Sequence, residues 1–446
     1  MTNSTWIEQH PDIRALRVAA SDLNGQPRGK RLPVGGAEKA LAGATRFPLS
    51  VMNLDIWGDD IENSPLVMES GDRDGVLLPT ERGFVPMPWL GTPTALLPIW
   101  MHYEDGTPFQ GDPRHALNSV LDRYRARNLT PVVAVELEFF LIDDSGSELR
   151  VPRSPRSGKR RIAGEILSMR TLDQFDTFFT ELYDACDAMN IPADTAISES
   201  GLGQFEVNLM HVNDALKAAD DAWLFKMLVK GLARNHGFAA TFMAKPYVDY
   251  AGNGLHMHFS VLDTDGNNVF DNGTEDGSDT LSHAIAGCMQ ALGPSTLIFA
   301  PHANSYDRLV PGAHAPTSIC WAYENRTAAI RVPSGPTASR RIEHRVAGGD
   351  VNPYLSIAAV LGAAINGIED ATRPPLPIKG NAYDQVLPQL PKDWDDAMHA
   401  FETDPNVARI FDPLLIQNFL LTKRQEARFM EDLCHEDELD LYLGAV

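Results

Sequence analysis

Residues 132–142 read VVAVELEFFLI, apolar and largely β-branched or aromatic at every position but two. Such a run forms a strand inside the fold. The exceptions are Glu136 and Glu138. Alternate residues of a strand share a face, so both carboxylates enter the same space. Two like charges in an apolar wall are costly without a proton or a cation to compensate them. A divalent metal ion meets that need most simply.

The rest of the chain restricts the setting. With 446 residues, one large domain or two or more smaller ones are expected. The net charge of −22 argues against a nucleic-acid partner, which needs a basic stripe. Cys186, Cys288, Cys320 and Cys434 show no paired spacing and fit free thiols in a reducing compartment. The first residues, Met1-Thr2-Asn3-Ser4-Thr5-Trp6, lack a signal-peptide pattern, and no apolar run reaches membrane-spanning length. A cytoplasmic protein with no membrane partner is expected.

From about residue 13 to 101 short strands alternate with turns, such as Asp22-Leu23-Asn24-Gly25. A boundary follows at 106–113, where Asp112 is a helix N-cap and Pro113 the first helical residue. Ala116, Leu117, Val120, Leu121 and Tyr124 form the apolar stripe of that helix. After strand 132–142 come a basic loop at 152–161 and a helix over 172–189. Strands are predicted at 204–210, 239–245 and 254–263, and helices dominate after Asn352. This is an α+β catalytic region behind a smaller N-terminal one.

Four further segments carry chemistry. Glu199 and Glu206 flank a glycine turn, which fits either a solvated turn or a ligand pair. His256 and His258 share one strand face behind Gly252 and Gly254, as core imidazoles or as metal or phosphate contacts. Arg308, Arg326 and Arg331 fit either surface pairs or an anion site. Arg341, Glu343 and Arg345 alternate on one face, as an internal salt ladder or as part of the site. With Glu136 and Glu138 they offer five carboxylates and two imidazoles, an oxygen-rich set suited to Mg²⁺ or Mn²⁺, plus arginines suited to phosphate. That inventory is what phosphoryl transfer from ATP requires, yet no GxxxxGK[ST] loop or kinase signature is present.

In this order the segments resemble the glutamine synthetase superfamily: Glu136-x-Glu138, Glu199…Gly203-Gln204-x-Glu206, Gly254-Leu255-His256-x-His258-x-Ser260, Asn304-Ser305-Tyr306-x-Arg308-Leu309-Val310-Pro311-Gly312, Asn325-Arg326 and Arg341-Ile342-Glu343-x-Arg345. Pro155-Arg156-Ser157-Gly158-Lys159-Arg160 and Thr241-Phe242-Met243-Ala244-Lys245-Pro246-Tyr247 are similar to its γ-glutamylpolyamine synthetase branch.

The resemblance implies an N-terminal β-grasp domain over 13–108 and a catalytic α/β domain over 112–446. The antiparallel-rich sheet of the latter would form a half-barrel with the neighbouring subunit. It implies a homo-oligomer, a dodecamer of two stacked rings, with two or three Mg²⁺ or Mn²⁺ ions per active site. Glu138, Glu199 and Glu206 would hold the metal beside glutamate, and Glu136, His256 and Glu343 the metal beside ATP. His258, Ser260, Arg331 and Arg341 would bind ATP. Gly252, Arg308, Arg326 and Arg345 would bind glutamate. Arg326, Arg308 and His314 are the implied catalytic residues.

Two positions depart from the family pattern. Ammonia-using members carry a Glu where this chain has His314, six residues beyond Arg308, and an Asn where it has Ala251. Asp55, Asp74 and His314 are the candidates for the amine site. The expected activity is ATP-dependent joining of the γ-carboxylate of L-glutamate to an amine of the putrescine type. Ammonia-dependent glutamine formation, alkylamide formation and a catalytically silent relative are the alternatives.

Overall fold

A computed structural model describes residues 3–146, 149–431, 433 and 435–446. Cys434 and the first two residues lie outside them. Cys186, Cys288 and Cys320 are buried free thiols. Among the described residues no helix is long and apolar enough to cross a membrane.

Two sheets organise the chain. The first contains β1 (Ala15–Ser21), β2 (Pro27–Pro33), β3 (Arg46–Pro48), β4 (Asp74–Pro79), β5 (Val85–Pro86) and β6 (Thr94–His102). Its order is β2-β1-β6-β4-β3, with β5 on β6, and β1 runs parallel to β6. The second contains β7 (Thr130–Ile142), β8 (Ala193–Ser198), β9 (Gln204–Leu209), β10 (Ala239–Thr241), β11 (Leu255–Leu262), β12 (Trp321–Tyr323), β13 (Ile330–Val332) and β14 (Ile342–His344). These run β12-β13-β14-β11-β7-β9-β8, with β10 on the end of β7, and only β12 and β13 are parallel. The mixed α+β architecture with its curled half-barrel sheet is the one expected.

β7 sorts its two faces as its sequence requires. Val133, Val135, Leu137, Phe139 and Leu141 are buried in the main core, which includes helices Ala215–Asn235 and Pro353–Asp370. Fully burying each such side chain contributes about 1.5–3 kcal/mol, so the inward face of β7 alone fixes the strand firmly. The opposite face presents Glu136 and Glu138.

The N-cap at Asp112 is as expected. Its carboxylate accepts from Arg114 N at 2.8 Å and from Met101 N at 2.8 Å, tying the start of helix Pro113–Arg125 to β6. A buried cluster joins the first sheet's loops to helix Pro413–Met430: Asn24 donates to Glu426 at 2.8 Å, and Lys423 donates to Glu426 at 2.7 Å and to Asn24 at 2.5 Å.

Two predicted elements are shorter than the sequence suggests. The 172–189 helix is interrupted, with Met169–Leu172 preceding Asp176–Ala188. Phe175 leaves helical geometry (φ −116°, ψ 22°) and packs its ring 5.4 Å from that of Phe205. The 239–245 strand stops at Thr241. Beyond it Asn253 donates to Met243 O at 2.9 Å and Asn304 accepts from Lys245 N at 2.7 Å. Side chains replace a ladder there, satisfying the backbone without a strand partner.

Candidate active site

The register of the second sheet draws the charged residues into one row. Glu138 lies opposite Glu206, and Glu136 lies opposite both Asn208 and His256. His258 lies opposite Glu343, which lies opposite Arg331. Directly opposed side chains have Cβ atoms about 4.5–5.5 Å apart, so one sheet face carries a band of ligating groups across five strands. Loops complete a cavity of about 820 Å³ over this band, with Glu199, Arg308, His314, Arg326 and Tyr383 in its walls.

Glu136 is the hub. Its oxygens lie 3.1 Å from His256 Nδ1 and 2.9 Å from His258 Nε2. Burial pushes its pKa up, but hydrogen bonds from the two imidazoles outweigh that and hold it well below the usual carboxylate range. Burial also opposes charge on Glu343, yet Arg345, His256, His258 and Arg331 bring it down to about 2. Arg331 Nη1 donates to Glu343 at 2.6 Å, and Arg345 Nη1 donates to its other oxygen. Arg341 Nε donates to His258 Nδ1 at 3.2 Å.

The other end of the row has the opposite electrostatics. Burial, then repulsion from Glu136, Glu138 and Glu199, pushes Glu206 up to about 9. Burial and Glu138 push Glu199 up to about 7, against the pull of Arg326. Glu138 accepts from Gly254 N at 2.7 Å and from Gln204 Nε2 at 3.4 Å. A Cβ at Gly254 would sit 2.8 Å from Arg308 Nη2 and 3.1 Å from His256 Nε2, so a larger residue there would displace both side chains. At Gly252 a Cβ would meet Ala244 O at 2.2 Å.

These residues fit divalent cations. Ligating atoms of Glu136, His258 and Glu343 lie within 4.8 Å of one another, as do those of Glu136, Glu206 and His256. The raised carboxyls of Glu199 and Glu206 are what a site awaiting a cation should show, because a cation replaces the proton that burial otherwise demands. Arg331 Nε and Arg345 Nε are buried without a partner, leaving donors for an anionic ligand.

The structure thus places all six expected metal ligands along the same row of the sheet and its adjoining loop. His258 joins Glu136 and Glu343, while His256 joins Glu136 and Glu206. Gly252, Arg308, Arg326, Arg345 and His314 line the cavity. His258, Arg331 and Arg341 extend the row beyond it, and Ser260 is half-buried further along β11, opposite Val132. Asp55 and Asp74 stand apart from the cavity of their own chain. Asp55 caps a turn, accepting from the backbone N of Trp57, Gly58 and Asp59 at 3.1, 2.8 and 2.9 Å. Asp74 opens β4 opposite Pro48 and is exposed.

Sequence reading gave no role to Gln204, Asn208 or Tyr383. Gln204 bridges Glu138 to Gly252 O, the latter at 3.1 Å. The side-chain carbonyl of Asn208 is buried without a partner in the cavity wall. The motif Gln204-x-Glu206-x-Asn208 held the signal for two of them, as polar residues at alternate strand positions. Tyr383 comes from a proline-rich loop with no periodicity to reveal it.

Comparison with known proteins agrees with this geometry. Residues 110–442 match the family model described as the glutamine synthetase catalytic domain. The γ-glutamylputrescine synthetase of Escherichia coli strain K12 is 35% identical over 441 residues, covering 98% of this chain and 93% of that protein. A glutamine synthetase of Thermus thermophilus is 32% identical over 449 residues, covering 97% and 96%. A solved structure described as a GmaS/ADP complex superposes with a TM-score of 0.84 at 28% identity, covering 98% of this chain and 99% of that one. The chain belongs to the glutamine synthetase family. It is an ATP-dependent carbon–nitrogen ligase, of a family that uses ATP and divalent metal ions.

Proposed function

We propose that the protein joins the γ-carboxylate of L-glutamate to a primary amine of the putrescine type through γ-glutamyl phosphate. The observation that carries this reading is the exposed imidazole of His314 on the cavity wall, where ammonia-using relatives place a carboxylate. A neutral imidazole can accept the amine's proton, but it does not supply the anionic pocket that selects ammonium. The likeness to a γ-glutamylputrescine synthetase supports the same acceptor class.

In this reading Gly252, Arg308 and Arg345 seat glutamate, and Arg308 is held for the task by donating to Val346 O at 2.7 Å. His258, Ser260, Arg331 and Arg341 take the nucleotide. Glu138, Glu199 and Glu206 would hold Mg²⁺ or Mn²⁺ on the glutamate side, and Glu136, His256 and Glu343 would hold it on the nucleotide side, for two or three ions in all. When bound, the ions neutralise phosphate charge. The γ-carboxylate displaces ADP from the γ-phosphate, and Arg326 stabilises charge on the transferred group. The amine nitrogen then attacks the acyl carbon, phosphate leaves, and His314 takes the amine's proton.

The family likeness also supports domains over 13–108 and 112–446 and a dodecamer of two stacked rings, with Asp55 or Asp74 facing a neighbour's amine site. The buried free thiols suit the cytoplasm.

The test is ADP release with glutamate, Mg²⁺ and a panel of amines. Putrescine-type amines are expected to outpace ammonium in kcat/KM. Faster turnover with ammonium than with any amine would make this a glutamine synthetase, and ADP release with none would make it a silent relative.

A further inference from the structure

Ile166 and Leu167 line the cavity, yet they are 60% and 67% exposed. Large apolar side chains offered to water inside a wall of charges require an explanation. The segment that carries them is fastened down. Leu167 N donates to Ser198 O at 2.8 Å, Ser168 N donates to Ser198 Oγ at 2.8 Å, and Ser198 Oγ donates to Glu165 O at 2.8 Å. Gly164 runs so close to Ser200 that a Cβ there would meet the Ser200 carbonyl oxygen at 2.0 Å. Leu167 itself holds φ 53°, a left-handed conformation that a branched side chain rarely adopts. Strained backbone persists where its surroundings enforce it, and it tends to mark functional positions.

The residues that anchor this segment flank Glu199. An apolar pair therefore stands in a cavity otherwise lined by charged groups, complementary to an amine that carries a hydrocarbon tail. Ala251 and Ala313, in the same wall, keep the approach open. We infer that Ile166 and Leu167 are the specificity surface for the hydrocarbon chain of the acceptor. The acceptor class is then primary amines bearing an alkyl chain of several carbons. This rests on the ligase reading above and adds the residues that measure the chain.

The experiment is a series of n-alkylamines, methyl to hexyl, with glutamate and ATP saturating. In the wild type kcat/KM is expected to rise about threefold to fourfold per methylene, the transfer value for one buried CH₂, until the chain passes the pair. Ile166→Ser and Leu167→Gly are expected to flatten that slope. Glycine accepts the left-handed backbone, so the second change removes a side chain without adding strain. Ile162→Ser is the control, since Ile162 is 95% exposed on the same segment but outside the cavity wall, and its slope should match the wild type.

An unchanged slope in both cavity variants overturns the inference. So does their dissociation into smaller species by light scattering, which would make the pair a contact between subunits. A flat wild-type slope overturns it even if neither variant folds. Preference of the wild type for ammonium over every amine defeats the ligase reading itself, whereas good turnover without chain-length dependence defeats only the inference.

Discussion

At the Glu343 end of the cavity each carboxylate has cationic or imidazole partners, and both Glu136 and Glu343 stay ionised. At the Glu206 end the carboxylates outnumber their partners, and Glu199 and Glu206 are pushed up to about 7 and about 9. The same residue type on the same sheet face thus does two jobs. One end is a rigid ion-pair frame, preorganised before any ligand arrives. The other stores electrostatic repulsion that a divalent cation relieves.

Glu136 touches both ends, so its removal should do most damage. Glu136→Ala is expected to lower kcat/KM by about a thousandfold, the upper range for losing one preorganised electrostatic group. Both nucleotide and glutamate kinetics should suffer, whereas Glu138→Ala should act mainly on glutamate activation. A loss confined to nucleotide binding would restore the division that sequence alone suggested, with Glu136 serving only the ATP side.

Arg331 tests the frame. Arg331→Met leaves Glu343 with Arg345 as its remaining arginine partner. Removing a group that orients a ligand typically costs about 10- to 100-fold, and here the loss should appear in nucleotide KM. An equal effect on glutamate KM would mean that the two ends are not separate.

The pH dependence of metal binding tests the other end. Glu206 and Glu199 bind protons in the folded protein at pH values where free carboxylates do not. A cation must displace those protons, so its affinity should fall about tenfold per pH unit for each proton released, as pH drops below about 9 and more steeply below about 7. Calorimetry in buffers of different ionisation enthalpy would count them. At these two carboxyls the folded state holds more protons than the unfolded chain, so their own contribution to metal-free stability falls as pH rises from about 4.5 toward 9, and Glu206→Gln should remove most of it. A metal-free melting temperature whose pH dependence is the same in the wild type and in Glu206→Gln would contradict the raised carboxyls.

The smallest expected effect is a control. Asp112→Ala removes an N-cap remote from both ends and should cost about 1 kcal/mol of stability, read by denaturant titration, without altering either set of kinetic constants.

What sequence made visible follows from how far each signal reaches. The sidedness of β7 is local, since alternation alone puts Glu136 and Glu138 on one face and Val135 and Leu137 on the other. The pairing of Glu138 with Glu206 is not local, because it depends on the register between strands 68 residues apart (206 − 138). Which imidazole approaches which carboxylate is also set by side-chain direction across three strands: His258 has Glu136 and Glu343 within reach, and His256 has Glu136 and Glu206. Ile166 and Leu167 left no trace in periodicity because they sit in a bend held by hydrogen bonds to Ser198. Phe242–Lys245 looked like strand from composition, but the asparagines that end the ladder come from elsewhere in the chain.

The ladder around β7 also has a meaning for how such a molecule avoids error. Slipping β9 or β11 by one residue along β7 would turn Glu206, or His256 and His258, into the core while moving Phe205 or Met257 out. The ionic row is therefore a checksum on strand alignment. A chain that folds at all has its ligands facing the same way, and the loops at 166–167 and 312–314 can change without loosening that check.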